Sequence, residues 1–321
     1  MAMNFTQLNN LNIAGLSDVI SLTVGLVGEL QRGITIMGGV VNKSPIVTFT
    51  AKDKALRKRV GCGGEYKYEN MSDDVKYYDM QPVEMPIVIC LDDLWGKMVA
   101  TGIHLSEDFG ETQLAVFMAG EVLKVLEADL LRLAWLDGIV EDDPAYGIFK
   151  KGGIIKQMLS STETIVAFSL TEASVEDTMK KLIDTQRPGQ QEKSEFFVSS
   201  HVMRILKNMV QKKDNTTAQS HFEDGKTSYT LEGYLINELP HVSAAAIADE
   251  ADVDAFIAFT PKTNIQIALE DATLPIAPFK QDAKDEMYYS RTKFAADIMV
   301  AVESILKLAT KAKEVTPPEE G

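Results

Sequence analysis

The chain has 321 residues, 45% of them hydrophobic and 25% charged, which is the composition of a folded globular protein with room for one large or two smaller cores. Its 47 Asp and Glu against 32 Lys and Arg give a formal net charge of -15, which excludes a general polyanion binder; nucleic acid would have to meet a local basic patch. Two cysteines, Cys62 and Cys90, and four dispersed histidines without a Cys-x-x-Cys point to reduced thiols and to no metal centre.

The first residues, MAMNFTQLNN, lack the basic start and apolar core of a signal peptide, and no apolar run approaches the ~20 residues of a membrane span. A reducing cytoplasm and no membrane partner are expected. Residues 1–43 are rich in Asn, Gly and Thr and almost uncharged. Leu16, Val19, Ile20 and Thr23 suggest one short helix, and the rest reads as an apolar arm that must lie on another surface.

Residues 44–85 alternate. Ile46, Thr48 and Thr50, then Tyr66 and Tyr68, then Val75, Tyr77 and Asp79 mark half-buried strands, with Gly61, Gly63 and Gly64 between them for a reversal. A long β-hairpin is expected here. It has too few apolar residues for a core of its own, so it should project and pack on something else.

Residues 86–146 open with the buried strand PIVICLDDL and continue as one long helix over about 111–136. Asp108 and Glu111 resemble a capping box and Gly138 a C-cap. Some 25 residues make a rod of about 38 Å. Residues 147–264 mix helices and strands: a short helix in FKKGGIIKQML, a strand in ETIVAFSL, and a helix in SVEDTMKKLIDTQ capped by Ser174. A strand then runs into a helix in FFVSSHVMRILKNMVQKK, followed by one strand in SYTLEGYLINELP and another in DAFIAFT. The order implies a sheet covered by helices. Residues 265–310 hold NIQIALED and a segment around Phe294, Ala295, Ile298, Val300 and Val302 that fits a helix or a strand. Residues 311–321 read as a flexible tail.

Chemical motifs fail on detail. VGCGGE lacks the spacing and the Lys-Ser/Thr of a phosphate loop, and reads as a hairpin turn. No Gly-x-Ser-x-Gly occurs, and Ser199, Ser200 and His201 splay apart at a helix start. The acidic pairs, such as Asp92 with Asp93, read as solvated faces. No catalytic residue, cofactor site or metal site is expected. Two charge clusters remain. Lys52, Lys54, Arg57, Lys58 and Arg59 stand in the projecting hairpin; Glu238, Asp249, Glu250, Asp252 and Asp254 stand in the body. They are either complementary contacts between copies or two separate solvated faces.

Several strings, in this order, carry a resemblance. AYGIFKKGGIIKQM follows the rod helix as the Gly-Ile-x-Lys-x-Ile link does in tailed-phage major capsid proteins; EFFVSSHVMRILKNMV resembles their Phe-Val-x-Ser strand and helix. LEGYLINELP resembles their Gly-Tyr-Pro-Ile strand, with Leu235 in place of proline. AFTPKTNIQIALED resembles the passage from Thr-Pro to Asn-Leu that returns the chain to the peripheral domain, and SRTKFAADIMVAVESIL the closing strands. From about residue 44 onward the sequence is similar to the Hong Kong 97-type shell proteins.

That resemblance implies an α+β fold with an N-terminal arm (1–43), an extended loop (44–85), a peripheral domain with its spine helix (86–146 and 265–310) and an axial domain (147–264). It implies a structural protein that assembles as hexamers and pentamers into an icosahedral virion shell around packaged double-stranded DNA, held by non-specific contacts, and formed in the cytoplasm of a bacterial host. A separate scaffolding protein, a portal and cement or auxiliary capsid proteins would be partners. Lys52, Lys54 and Asn264 match no motif for the covalent cross-links of some members, and none is expected. An encapsulin-like protein compartment uses the same fold and is the alternative; an α/β enzyme is more remote.

Overall fold

A computed structural model describes residues 33–51, 71–90, 125–140, 145–212, 218–223, 226–251, 253–270, 280–282 and 287–311. The elements in chain order begin with β1 (Thr35–Met37), β2 (Pro45–Ala51), β3 (Met71–Tyr77) and β4 (Gln81–Cys90). Helix α1 (125–136), α2 (Ile154–Leu159), β5 (Val166–Phe168), α3 (Glu172–Thr185) and α4 (Pro188–Gln191) follow. Next come β6 (Ser194–Val198), α5 (Ser200–Lys212), β7 (Ala218–Glu223), β8 (Lys226–Leu231), β9 (Tyr234–Glu238) and α6 (Pro240–Ala248). The chain closes with β10 (Phe256–Pro261), β11 (Ile265–Leu269), β12 (Lys280–Asp282), β13 (Met287–Val300) and β14 (Lys307–Lys311).

Seven strands form one sheet in the order β5-β14-β10-β6-β9-β8-β7. Its central strands β6 and β10 carry the apolar runs Phe196–Val198 and Phe256–Phe259, with both faces covered. Phe196, Val198, Ile257 and Phe259 point to one side, against Val175, Met179 and Leu182 of α3 and Val202, Met203 and Leu206 of α5. Phe197, Phe256 and Ala258 point to the other, into a core shared with Trp135 of α1, Ile154 and Ile155 of α2, and Ile267 and Ile298. Trp135 stacks on Phe256 at 5.1 Å. Those last two isoleucines belong to a second sheet, β1-β11-β13-β12, with β4 also paired to β13. Helix α1 thus stands where two sheets meet, and its apolar residues cover more than one side because it has more than one neighbour.

The chain passes between the sheets at Thr-Pro-Lys-Thr-Asn. Pro261 is the last residue of β10, Lys262–Asn264 form a single 3-10 turn, and Ile265 opens β11 in the other sheet. Buried Asn264 fixes the corner: Nδ2 donates to Thr260 Oγ1 at 3.1 Å and Val302 O at 3.0 Å, and Oδ1 accepts from Val302 N at 2.8 Å. Asn264 thus ties the end of β10 to the segment that follows β13.

Several expectations change. SYTLEGYLINELP is two strands, β8 and β9, joined by Glu232 and Gly233 at φ 53 and 89, the positive angles of a two-residue hairpin. Strand β4 is only half-buried: Val83, Met85 and Ile87 lie inward while Glu84, Pro86 and Val88 are exposed. The cap of α3 is Thr171, whose Oγ1 accepts from Ser174 N; Ser174 is inside the helix and its hydroxyl accepts from Ser169 N. Residues 287–300 are strand. The suggested helix near Leu16, the reversal at Gly61–Gly64, the capping box at Asp108 and the helix before residue 125 lie outside the described residues. Among the described residues no helix is long and apolar enough to cross a membrane.

Candidate inter-subunit surface

Strands β2 and β3 pair only with each other, in register from Pro45 with Tyr77 to Ala51 with Met71. Directly opposed residues share a face. Ile46, opposite Lys76, packs inward against the cluster of Tyr78, Met80, Ala268 and Met299. Val47 opposite Val75, and Pro45 opposite Tyr77, occupy the other face, where Val47 is 47% and Tyr77 54% exposed. Val41, just before the hairpin, is 71% exposed. The hairpin therefore turns an apolar row away from the described core.

The base of the hairpin is held by charge. Lys76 Nζ lies 2.7 Å from Glu303 and donates to Val300 O at 3.2 Å. Lys151 Nζ donates to Tyr77 O at 2.6 Å and to Asp297 Oδ2 at 3.4 Å, and Lys150 pairs with Asp79 at 3.1 Å. Asp297 is buried; its Oδ2 also accepts from Asp79 N at 2.8 Å, and Oδ1 makes no hydrogen bond. Burial raises its carboxyl above the ordinary range, against the lowering effects of the Asp79 amide and Lys151. Tyr78 donates to Gln266 at 2.5 Å, and burial, then Asp297, raises its phenol. Between the hairpin base, the 150–161 segment and the end of β13 lies an open groove of about 890 Å³.

The acidic cluster is spread between the end of β9 and the segment that joins α6 to β10. Glu238 accepts from Lys207 at 2.8 Å and Ser200 Oγ at 3.0 Å; Asp254 accepts from Lys311 at 3.2 Å; Asp249 accepts from the Tyr146 hydroxyl. Glu250 is exposed, at φ 50. Asp252 and all of Lys52, Lys54, Arg57, Lys58 and Arg59 lie outside the described residues. Among the described residues no group of His, Cys, Asp and Glu is placed to hold a metal ion. The groove was not legible beforehand because its lysines come from positions 43, 76, 150 and 151, and no local pattern joins them. The apolar row left a trace, since Val47, Val75 and Tyr77 alternate, but alternation does not say which face is inward.

No protein family and no curated protein matches the sequence. Solved structures do match in shape. A chain of the satellite phage P4 procapsid, in a structure including the size determination (Sid) protein, superimposes with a TM-score of 0.57 at 12% identity, over 92% of this chain and 99% of that one. The fold is that of the Hong Kong 97-type capsid proteins. The capsid of an empty GTA particle gives 0.52 at 13% identity, over 89% and 90% of the two chains. Gordonia phage Cozz gives 0.53 at 8%, over 89% and 86%. Strands β2 and β3 lie within residues 44–85, and α1 within 86–146.

Proposed function

We propose that the chain is a major capsid protein, assembling with its own copies as hexamers and pentamers into an icosahedral shell around packaged phage DNA. The observation that carries this reading is the hairpin, on which Val47, Val75 and Tyr77 are exposed and not covered by the described residues, in a fold shared over about nine-tenths of its length with capsid chains. A neighbouring copy supplies that cover, and the apolar area is then shared between subunits. The role is structural and not catalytic. The basic residues Lys52 to Arg59, which follow β2 in sequence, are further inter-subunit contacts. DNA touches the inner wall through non-specific contacts, and a scaffolding protein, a portal and auxiliary capsid proteins complete the particle in the host cytoplasm.

Sedimentation of the purified chain tests the reading. The wild-type protein should form fast-sedimenting particles, with scaffold supplied if needed. Val47→Asp combined with Val75→Asp should remain folded by circular dichroism and sediment as small species. Unchanged particles from that variant would remove the hairpin face from the account.

A further inference from the structure

The groove at the hairpin base is a cationic exception on an anionic protein. Four lysines, Lys43, Lys76, Lys150 and Lys151, line it against two carboxylates, Asp79 and Glu303, on a chain whose net charge is -15. Lys76, Lys150 and Lys151 each have an acid of their own chain, whereas Lys43, held at φ 63, has none among the described residues. The groove is open and adjoins the exposed row, because Tyr77 belongs to both. An occupant that completes the groove therefore offers a carboxylate for Lys43 next to an apolar side chain.

The same chain carries such a segment. Residues 227–261 contain six acidic residues and not one Lys or Arg. Glu232 and Glu238 precede α6; the other four fall at 249–254, just after Ile247 at the end of α6, which is 52% exposed. Asp249 and Asp254 are engaged with Tyr146 and Lys311, which fixes the stretch in place, while Glu250 between them is exposed and without a described partner. The stretch also follows a helix C-terminus, where the dipole adds negative potential. None of residues 227–261 is among those that line the groove of their own chain.

We propose that the groove at the hairpin base receives the acidic end of α6 of a second copy of this chain, with Glu250 at the lysines and Ile247 against the Tyr77 side. The proposal rests on assembly between copies. It assigns the acidic stretch to the base of the hairpin and not to the basic residues Lys52 to Arg59, and it makes the contact sensitive to salt, since the pairs lie at an open rim.

Particles assembled from mixed light and heavy isotope-labelled chains and treated with a carbodiimide test it. Mixed-isotope peptides should carry an amide between Lys43 or Lys150 and Glu250. Links from those lysines only to other acids, or links from Glu250 only to Lys52, Lys54 or Lys58, would overturn it. In parallel, Lys43→Glu with Lys150→Glu should cut the assembled fraction about tenfold at fixed concentration, and adding Glu250→Lys should restore it. Charge reversal with no effect on assembly, or no restoration in a variant that circular dichroism shows to be folded, also overturns it. Particle formation by the wild-type chain reads the capsid assignment independently of either result.

Discussion

Asp137 closes the turn after α1. It is fully buried, and its carboxylate accepts from the amides of Gly147 at 2.6 Å, Ile148 at 3.1 Å and Phe149 at 2.9 Å. Its backbone oxygen accepts from Gly153 N at 2.8 Å. A side chain at Gly153 would place Cβ 2.8 Å from Leu133 O and Asp137 N, so the glycine is required by the close approach of two backbones. Asp137→Ala leaves three amides without their acceptor and should cost about 3 kcal/mol or more, measurable by denaturant unfolding; a change within the noise would deny the carboxylate its role. Tyr146 offers a second test. Burial, then its hydrogen bond to Asp249, pushes its phenol up to about 12, while Arg132 at 4.6 Å from the ring works in the opposite direction. A raised folded value means that the bond contributes fully below the ordinary tyrosine range near 10 and is lost as pH rises through about 12. Ultraviolet titration should show late phenolate absorbance near pH 12 in the wild type, one tyrosine's share of which is missing in Tyr146→Phe. A Tyr146 that ionises with the other tyrosines would contradict this.

At the scale of elements, legibility followed the number of covered faces. The short helix after Gly153, the helix 200–212 and the strand DAFIAFT could be read because their patterns are local. The final segment could not be assigned to helix or strand, since β13 is paired along one edge with β4 and along the other with β11 and β12, and its apolar residues serve more than one neighbour. The two-residue turn at Glu232-Gly233 was hidden because the usual signal is Asn-Gly or Asp-Gly, whereas here Glu takes the positive φ. Strand β4 looked buried because Val88 and Ile89 are apolar, yet Val88 is exposed, opposite Tyr289. Apolar residues that a single chain leaves uncovered mislead any inference from sequence that assumes a monomer. The hairpin variants described above test this at the same scale, since the monomer fold should survive them.

For the whole molecule, the order of segments said more than any one motif. The return from β10 to β11 through Thr-Pro-Lys-Thr-Asn is a passage from one sheet to the other, pinned by Asn264, and it holds no ligand-binding arrangement. The groove, by contrast, was invisible in sequence because it is assembled from distant lysines around the hairpin base. Both features belong to geometry between parts. Electron cryomicroscopy of particles purified with this chain is the most direct test. The account predicts closed angular shells of hexamers and pentamers that contain DNA, with each hairpin lying over an adjacent subunit. Shells filled with a protein cargo, or a chain that stays monomeric under every assembly condition, would contradict it.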